Sequence, residues 1–107
     1  VVLGSLEKIL REFHEARKPI GAICIAPAVV ALALRHTPLE LTLGPVGEAA
    51  QEVERLGHRH VVCAVEECHT DVAQRVITTP AYMHDTAPLH AVFTGIQKLV
   101  QEVVRLA

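Results

Sequence analysis

The first stretch of the chain carries apolar residues at every third or fourth position. Between residues 5 and 17 these are Leu6, Ile9, Leu10 and Phe13, and this spacing places them on one face of a helix. Ser5 is a suitable N-cap for that helix. Lys18 precedes Pro19, and a residue before proline avoids helical backbone angles. The pattern therefore predicts an amphipathic helix that ends near residue 17.

A continuous apolar run follows this helix. Ile20 to Cys24 is short and rich in small and branched residues, which is typical of a buried strand. Pro27 then stands where the first turn of a helix tolerates proline. Ala28 to Leu34 is apolar on all sides, so we expect a helix that is buried on all sides.

The rest of the chain alternates between strand and helix patterns. Leu39 to Leu43 alternates with a period of two and predicts a half-buried strand, whereas Val46 to Leu56 returns to helical spacing and ends at Gly57. The β-branched runs Val61 to Val65 and Arg75 to Thr78 predict two more strands. The final helix carries one apolar stripe, made of Leu89, Val92, Phe93, Ile96, Leu99, Val100, Val103 and Val104.

This order of elements predicts an α/β layered fold with a largely parallel sheet. Residues 1–107 offer one hydrophobic core and therefore one domain. Such sheets usually open with a buried strand and a glycine-bearing turn. Because this chain opens with a helix, we expect a partial domain that lacks its N-terminal strands.

Composition excludes several classes of partner. The net charge of −2 and the three aromatic residues offer neither a basic surface for phosphates nor a stacking platform for bases, so no nucleic acid is expected. The longest apolar run, Gly21 to Leu34, is too short for a bilayer span and contains Pro27.

No secretion signal is visible. Three cysteines then indicate reduced thiols, in the cytoplasm or a mitochondrial matrix.

Cys24 is the strongest candidate for chemistry. It lies where a buried strand is predicted to turn into a helix, flanked by small residues that allow a tight bend, which is the arrangement of a nucleophile elbow. The helix N-terminus would lower the pKa of such a thiol, and the backbone N–H of Ile25 could hold an oxyanion. The alternative is an inert core cysteine, since free cysteines are often buried.

Two motifs carry a family resemblance. Lys18 to Ala28 (KPIGAICIAPA) and Val76 to Met83 (VITTPAYM) resemble the ElbB family, also named enhancing lycopene biosynthesis or isoprenoid-biosynthesis glyoxalase proteins, whose animal members are mitochondrial amidotransferase-like proteins. The family belongs to the ThiJ/PfpI branch of the class I glutamine amidotransferase-like fold. The resemblance implies a flavodoxin-like sheet, Cys24 as the reactive residue, and a glyoxalase or deglycase activity on small aldehydes such as glyoxal and methylglyoxal.

The same resemblance implies that part of the apparatus lies outside this chain. Family members are roughly twice this length, in line with the usual size of doubly wound domains. In the wider superfamily the other half supplies the first strands, a carboxylate that contacts the nucleophile, and a glycine-bearing turn of the oxyanion site.

Within this chain, His69 is the first choice for a base or orienter of Cys24. It follows Glu66, Glu67 and Cys68 at the predicted end of a strand, where functional residues gather in parallel sheets. The alternative is a solvated loop histidine. Pocket-lining or plain packing roles both remain open for Thr79, Tyr82 and Met83.

A metal site is not expected, although thiolate and imidazole are ligands that zinc prefers. The candidates are His58, His60, Cys63, Cys68 and His69. On a strand through residues 57–65, His58 and His60 share one face and Cys63 points to the other, so one ion cannot collect them. We therefore predict no metal and no cofactor, and interpret Cys63 as a core thiol.

Three functions remain open from the sequence. The first is an enzyme in which Cys24 attacks a small aldehyde. The second is a catalytically silent interaction module of the same fold, and the third is a redox sensor, since an accessible elbow thiol is readily oxidised. Glutaminase activity is disfavoured because the late segment has His84-Asp85 and His90 but no His-x-Glu. A homo-oligomer is left open.

Overall fold

The computed structural model describes residues 4–107, which form helices on both sides of short strands. The helices are α1 (Gly4–Glu15), α2 (Ala26–Ala33), α3 (Glu48–Arg55) and α4 (Leu89–Leu106). The strands are β1 (Ile20–Ile23), β2 (Glu40–Leu41), β3 (Arg59–His60), β4 (His69–Asp71) and β5 (Val76–Thr79), and a short 3-10 helix spans Ala81–Met83.

The strands form two small sheets. In the first, β5 lies between β1 and β4, parallel to β1 and antiparallel to β4. In the second, β2 and β3 are parallel. Side chains link the two sheets, because the Thr42 N–H donates to Thr78 Oγ1 at 3.0 Å and the Glu40 N–H to Asp71 Oδ2 at 2.8 Å. The predicted α/β architecture with a largely parallel sheet is thus confirmed.

The core lies on one face of the first sheet. Ile20, Ala22 and Val76 point from the sheet into a cluster with Val30, Ala31, Leu34, Leu39, Leu41, Leu43 and Val53. Helix α4 covers the other face. A Cβ atom at Gly21 would stand 3.0 Å from side-chain atoms of both Leu99 and Val103, so glycine lets this helix lie close to β1. Of the residues described, none belongs to a helix long and apolar enough to cross a bilayer.

The strands of the structure differ from the prediction at two places. The strand expected at Val61 to Val65 is wrong: the strand is Arg59–His60, and residues 61–65 lie outside any strand. Its partner β2 is equally short, since the pairing covers only Glu40 and Leu41. Cys63 is buried as predicted, at 8% exposure. The other difference is β4, which the sequence analysis did not predict.

Helix α4 carries apolar residues beyond the stripe that is buried against the sheet. Val92 and Leu99 are buried, whereas Leu89, Phe93, Val100 and Val104 are 51–72% exposed. The apolar arc therefore extends from the sheet-facing side of α4 onto one of its flanks.

Candidate active site around Cys24

Cys24 lies on the tight turn that joins β1 to α2. Its φ angle is +65°, in the left-handed region that non-glycine residues avoid. Its N–H donates to the Thr79 carbonyl at 3.0 Å, which fixes the turn to the end of β5. The residue is partly exposed and its thiol is free. The small residues around it allow this bend, and the strained backbone holds the side chain above the sheet edge.

The residues after Cys24 present free backbone donors. Ile25 and Ala26 begin the helical turn, and neither N–H is bonded to another residue within 4–107. Pro27 occupies the first turn of α2, as predicted, and has no N–H to contribute. Two amides at a helix N-terminus can stabilise a developing negative charge on an oxygen bound beside the thiol.

A second strained residue lies at the same edge. Ile23 pairs with Thr79, so β1 and β5 end side by side. After Pro80, Ala81 is fully buried with a φ angle of +46°. Tyr82 follows and is 60% exposed. Two of the four non-glycine residues with positive φ within residues 4–107, Cys24 and Ala81, thus follow the carboxyl ends of β1 and β5, and functional residues gather at that edge of parallel sheets.

His69 starts β4 instead of following the end of a strand. Because β4 is antiparallel to β5, this start still lies at the same edge, and His69 pairs with Thr78. However, β5 separates it from Cys24 by about two strand spacings, or roughly 10 Å. Its Nε2 atom lies 3.1 Å from Glu40 Oε1. That hydrogen bond, with Arg59 close by, lowers the pKa of the Glu40 carboxyl. Cys24 and His69 are not joined by a hydrogen bond within residues 4–107.

His84 entered the sequence analysis only in the argument against a glutaminase, because no His-x-Glu follows it. It is half-buried, and its Nε2 atom lies 2.8 Å from the Cys63 carbonyl oxygen. That oxygen can only accept, so Nε2 carries the proton in this contact. A Cβ atom at Gly44 would lie 3.2 Å from the same nitrogen. His84 therefore ties the edge after β5 to the loop after β3.

The other two thiols differ from Cys24 in environment. Burial raises the pKa of Cys63 to about 11, and the neighbouring Cys68 adds to this effect. Burial also raises the pKa of Cys68. Both groups are protonated at neutral pH and are poor nucleophiles. Residues 4–107 contain no group of three or more His, Cys, Asp or Glu side chains suited to one metal ion.

The left-handed turn predicts a reversed order of stability for two variants. Because the φ angle of Cys24 is +65°, we expect Cys24→Gly to be about 1 kcal/mol more stable than Cys24→Ala. Ala22, inside β1, is the control: there Ala22→Gly should lower stability relative to the parent. The midpoints of urea unfolding compare the stability of Cys24→Gly with that of Cys24→Ala, and the stability of Ala22→Gly with that of the parent. Equal stability of the two Cys24 variants would contradict a strained turn.

The raised thiol pKa predicts a loss of stability at high pH. The unfolded chain releases the Cys63 proton near pH 9.0 but the folded chain only near pH 11. The stabilisation is therefore complete below pH 9 and is lost as the pH rises to 11, with a total of about 3 kcal/mol. Urea unfolding of the parent and Cys63→Ala across this range tests it. A difference between them that does not change with pH would contradict the expectation.

The sequence is similar to animal mitochondrial proteins. No protein-family model matches the chain. It is 41% identical, over 111 aligned positions, to the human protein named glutamine amidotransferase-like class 1 domain-containing protein 3, mitochondrial. The rat ES1 protein homolog, mitochondrial, is 39% identical. Each alignment covers 95% of this chain but only 40% and 41% of the relative, so the chain spans less than half the length of these proteins.

The fold is similar to a solved structure from Ehrlichia chaffeensis. That protein is described as an isoprenoid biosynthesis protein with an amidotransferase-like domain, and it superposes with a TM-score of 0.88 at 31% identity. The match covers 100% of this chain and 48% of the other. The resemblance carried by the two motifs is thereby confirmed: over nearly its whole length, the chain is similar to part of amidotransferase-like class 1 proteins that include the mitochondrial ES1 proteins and an isoprenoid biosynthesis protein.

Proposed function

We propose that Cys24 is the nucleophile of a glyoxalase- or deglycase-type reaction on small α-oxoaldehydes such as methylglyoxal. The observation that carries this proposal is the turn at Cys24, where a partly exposed thiol precedes two backbone N–H groups without partners among residues 4–107. A thiol beside such donors suits addition to a carbonyl group, because the oxygen gains negative charge as the carbon–sulfur bond forms.

The proposed reaction balances without an external oxidant or cofactor. The thiolate of Cys24 adds to the aldehyde carbon, and the carbonyl electron pair moves to the oxygen, which the Ile25 N–H holds. A proton then moves from the former aldehyde carbon to its neighbour, so that the first carbon is oxidised to a thioester and the ketone is reduced to an alcohol. Water hydrolyses the thioester, releasing a 2-hydroxy acid and restoring the thiol.

The proton transfers in this scheme need a base. His69 is bonded to Glu40 rather than to Cys24, and the thiols of Cys63 and Cys68 stay protonated at neutral pH because desolvation raises their pKa values. A catalytically silent module of the same fold is therefore the second candidate, favoured by the absence of a base bonded to Cys24 within residues 4–107.

Two measurements on the same protein separate these candidates. Incubation with methylglyoxal, followed by assay of lactate and by intact mass, reports turnover and covalent addition. The aldehyde enzyme predicts lactate formation that is lost in Cys24→Ser and kept in the control Cys68→Ser. Addition at Cys24 without lactate favours the silent module, whereas no addition at Cys24 at all would refute the nucleophile.

We also propose a mitochondrial location, which narrows the compartments indicated by the reduced thiols. The human and rat relatives are both named as mitochondrial proteins. Imaging of the tagged full-length gene product against a matrix marker tests this, and a purely cytosolic signal would refute it.

A further inference from the structure

Cys63 and Cys68 lie on the two sides of one tight turn. The Glu67 N–H donates to the Ala64 carbonyl at 3.0 Å, which closes a four-residue turn over residues 64–67. Cys63 precedes this turn and Cys68 follows it, and such a turn brings the residues that flank it opposite each other. The Cys63 thiol lies 3.4 Å from the same Ala64 oxygen, beside the bond that closes the turn. The two thiols are therefore neighbours in space as well as in sequence.

The charges around the two thiols agree with this proximity. Burial is the largest cause of the raised pKa of both thiols, and the charge of Cys68 is the next cause for Cys63. Glu67 raises and Lys98 lowers the pKa of each thiol, and Lys98 Nζ lies 2.8 Å from Glu67 Oε2. Because charges act strongly only within about 10 Å at ordinary ionic strength, both sulfur atoms belong to one small site beside this ion pair.

Two hydrogen bonds fix the backbone at both ends of the turn. His84 Nε2 donates to the Cys63 carbonyl at 2.8 Å, and Thr79 Oγ1 donates to the Glu67 carbonyl at 2.7 Å. The Thr79 carbonyl in turn accepts the N–H of Cys24, so the turn is attached to the edge that carries Cys24. A backbone fixed on both sides holds the two flanking thiols at a constant separation, which lowers the entropy lost when they become joined.

The two thiols differ in their access to solvent. Cys68 is partly exposed, whereas Cys63 is buried at 8% exposure. An oxidant from solution therefore reaches Cys68 first, and Cys63 needs to reach only Cys68. We propose that Cys63 and Cys68 are a redox-active pair that forms a reversible disulfide by exchange with a small-molecule disulfide such as glutathione disulfide. This inference does not depend on the aldehyde chemistry at Cys24.

The exchange balances in two steps. The Cys68 thiolate attacks one sulfur of glutathione disulfide, whose sulfur–sulfur bond breaks, and one glutathione thiolate leaves. The Cys63 thiolate then attacks the Cys68 sulfur, and the second glutathione thiolate leaves as the internal disulfide forms. The two protons lost by the cysteines end on the two glutathione thiols, so the protein loses two electrons and the oxidant gains them. Because burial raises the pKa of Cys68, the first step becomes faster as the pH rises.

Equilibration with mixtures of reduced and oxidised glutathione tests the pair. The samples are quenched with acid, alkylated and digested with trypsin, which cleaves after Arg59 and Arg75 and so leaves both cysteines on the peptide of residues 60–75, apart from Cys24. An internal disulfide leaves this peptide unalkylated and two hydrogen atoms lighter. In urea the same cysteines are joined by a flexible loop, with an effective concentration in the mM range. We expect the equilibrium constant for disulfide formation to be at least about 10-fold larger in the folded chain, because the turn holds the thiols together.

Matched variants test the role of the fixed turn. Thr79→Val removes the hydroxyl that bonds the turn and should lower the equilibrium constant by about 5-fold, the effect of one hydrogen bond. Thr94→Val is the control, because its hydroxyl bonds the His90 carbonyl within α4, and it should leave the constant within about 2-fold. Circular dichroism confirms that both variants fold. Equal constants for the folded and unfolded chain, equal constants for the two variants, or glutathione that stays attached to Cys68 without an internal disulfide would overturn the proposal.

Discussion

Replacing Gly95 by alanine should destabilise the protein by about 3 kcal/mol or more, although alanine favours helices. A Cβ atom at this position of α4 would stand 2.2 Å from the Val65 carbonyl oxygen and 2.9 Å from Thr79 Oγ1. Helix propensity alone would stabilise the variant by about 1 kcal/mol. The clash is with backbone, which cannot rotate away, so overpacking outweighs propensity.

Chemical denaturation of the parent and the variant measures this effect. Gln97→Ala, at an exposed position of the same helix, is the matched control and should change stability by less than about 0.5 kcal/mol. The Thr79 hydroxyl also donates to the Glu67 carbonyl at 2.7 Å, so a shifted helix would disturb the strand that bonds Cys24. If Gly95→Ala were as stable as the parent, the close contact between α4 and the loop before β4 would be absent.

Local patterns were sufficient to predict the elements that build the candidate site. The apolar run before Cys24 predicted the strand, and Pro27 predicted the start of α2. The small residues around Cys24 predicted the turn between them. Each of these signals lies within a few residues of the feature that it predicts. Such signals describe local backbone preference, which changes little with the rest of the fold.

The elements that were missed depend on contacts between distant residues. β4 exists because His69 to Asp71 pairs with Val76 to Thr78, and no period-two pattern marks so short a strand. Three of residues 61–65 are β-branched valines, yet the pairing of β2 with β3 ends at Leu41 and His60. β-propensity describes a half-buried surface and cannot supply a missing partner strand.

The same limit applies to the candidate site. His69 was expected after the end of a strand, whereas it is the first residue of β4, and its bond to Glu40 is a contact across 29 positions that no motif signals. His84 was overlooked because its role rests on the Cys63 carbonyl, 21 positions away. The spacing of residues along the sequence predicts which of them lie near one edge of a sheet. Which of them contact each other depends on the tertiary packing.

Replacing His58 by leucine should cost about 3 kcal/mol, despite the similar size and higher hydrophobicity of leucine. His58 is only 4% exposed. The Leu39 N–H donates to its Nδ1 atom at 3.1 Å, and its Nε2 atom lies 2.9 Å from the Ala31 carbonyl oxygen. That carbonyl can only accept, so the ring is neutral with its proton on Nε2, and it bridges α2 to the segment that enters β2.

The leucine variant leaves two buried backbone groups without partners, and each loss costs about 1–3 kcal/mol. The apolar leucine side chain gains on the order of 1 kcal/mol from being buried. This gain is smaller than the free energy lost with the two hydrogen bonds. His90→Leu, on the exposed start of α4, is the control and should be nearly neutral. Urea unfolding of the parent, His58→Leu and His90→Leu measures the effect. Equal stability of the two variants would mean that the hydrogen bonds of His58 contribute no net stabilisation. The expected loss in His58→Leu alone would establish His58 as a structural residue of the core.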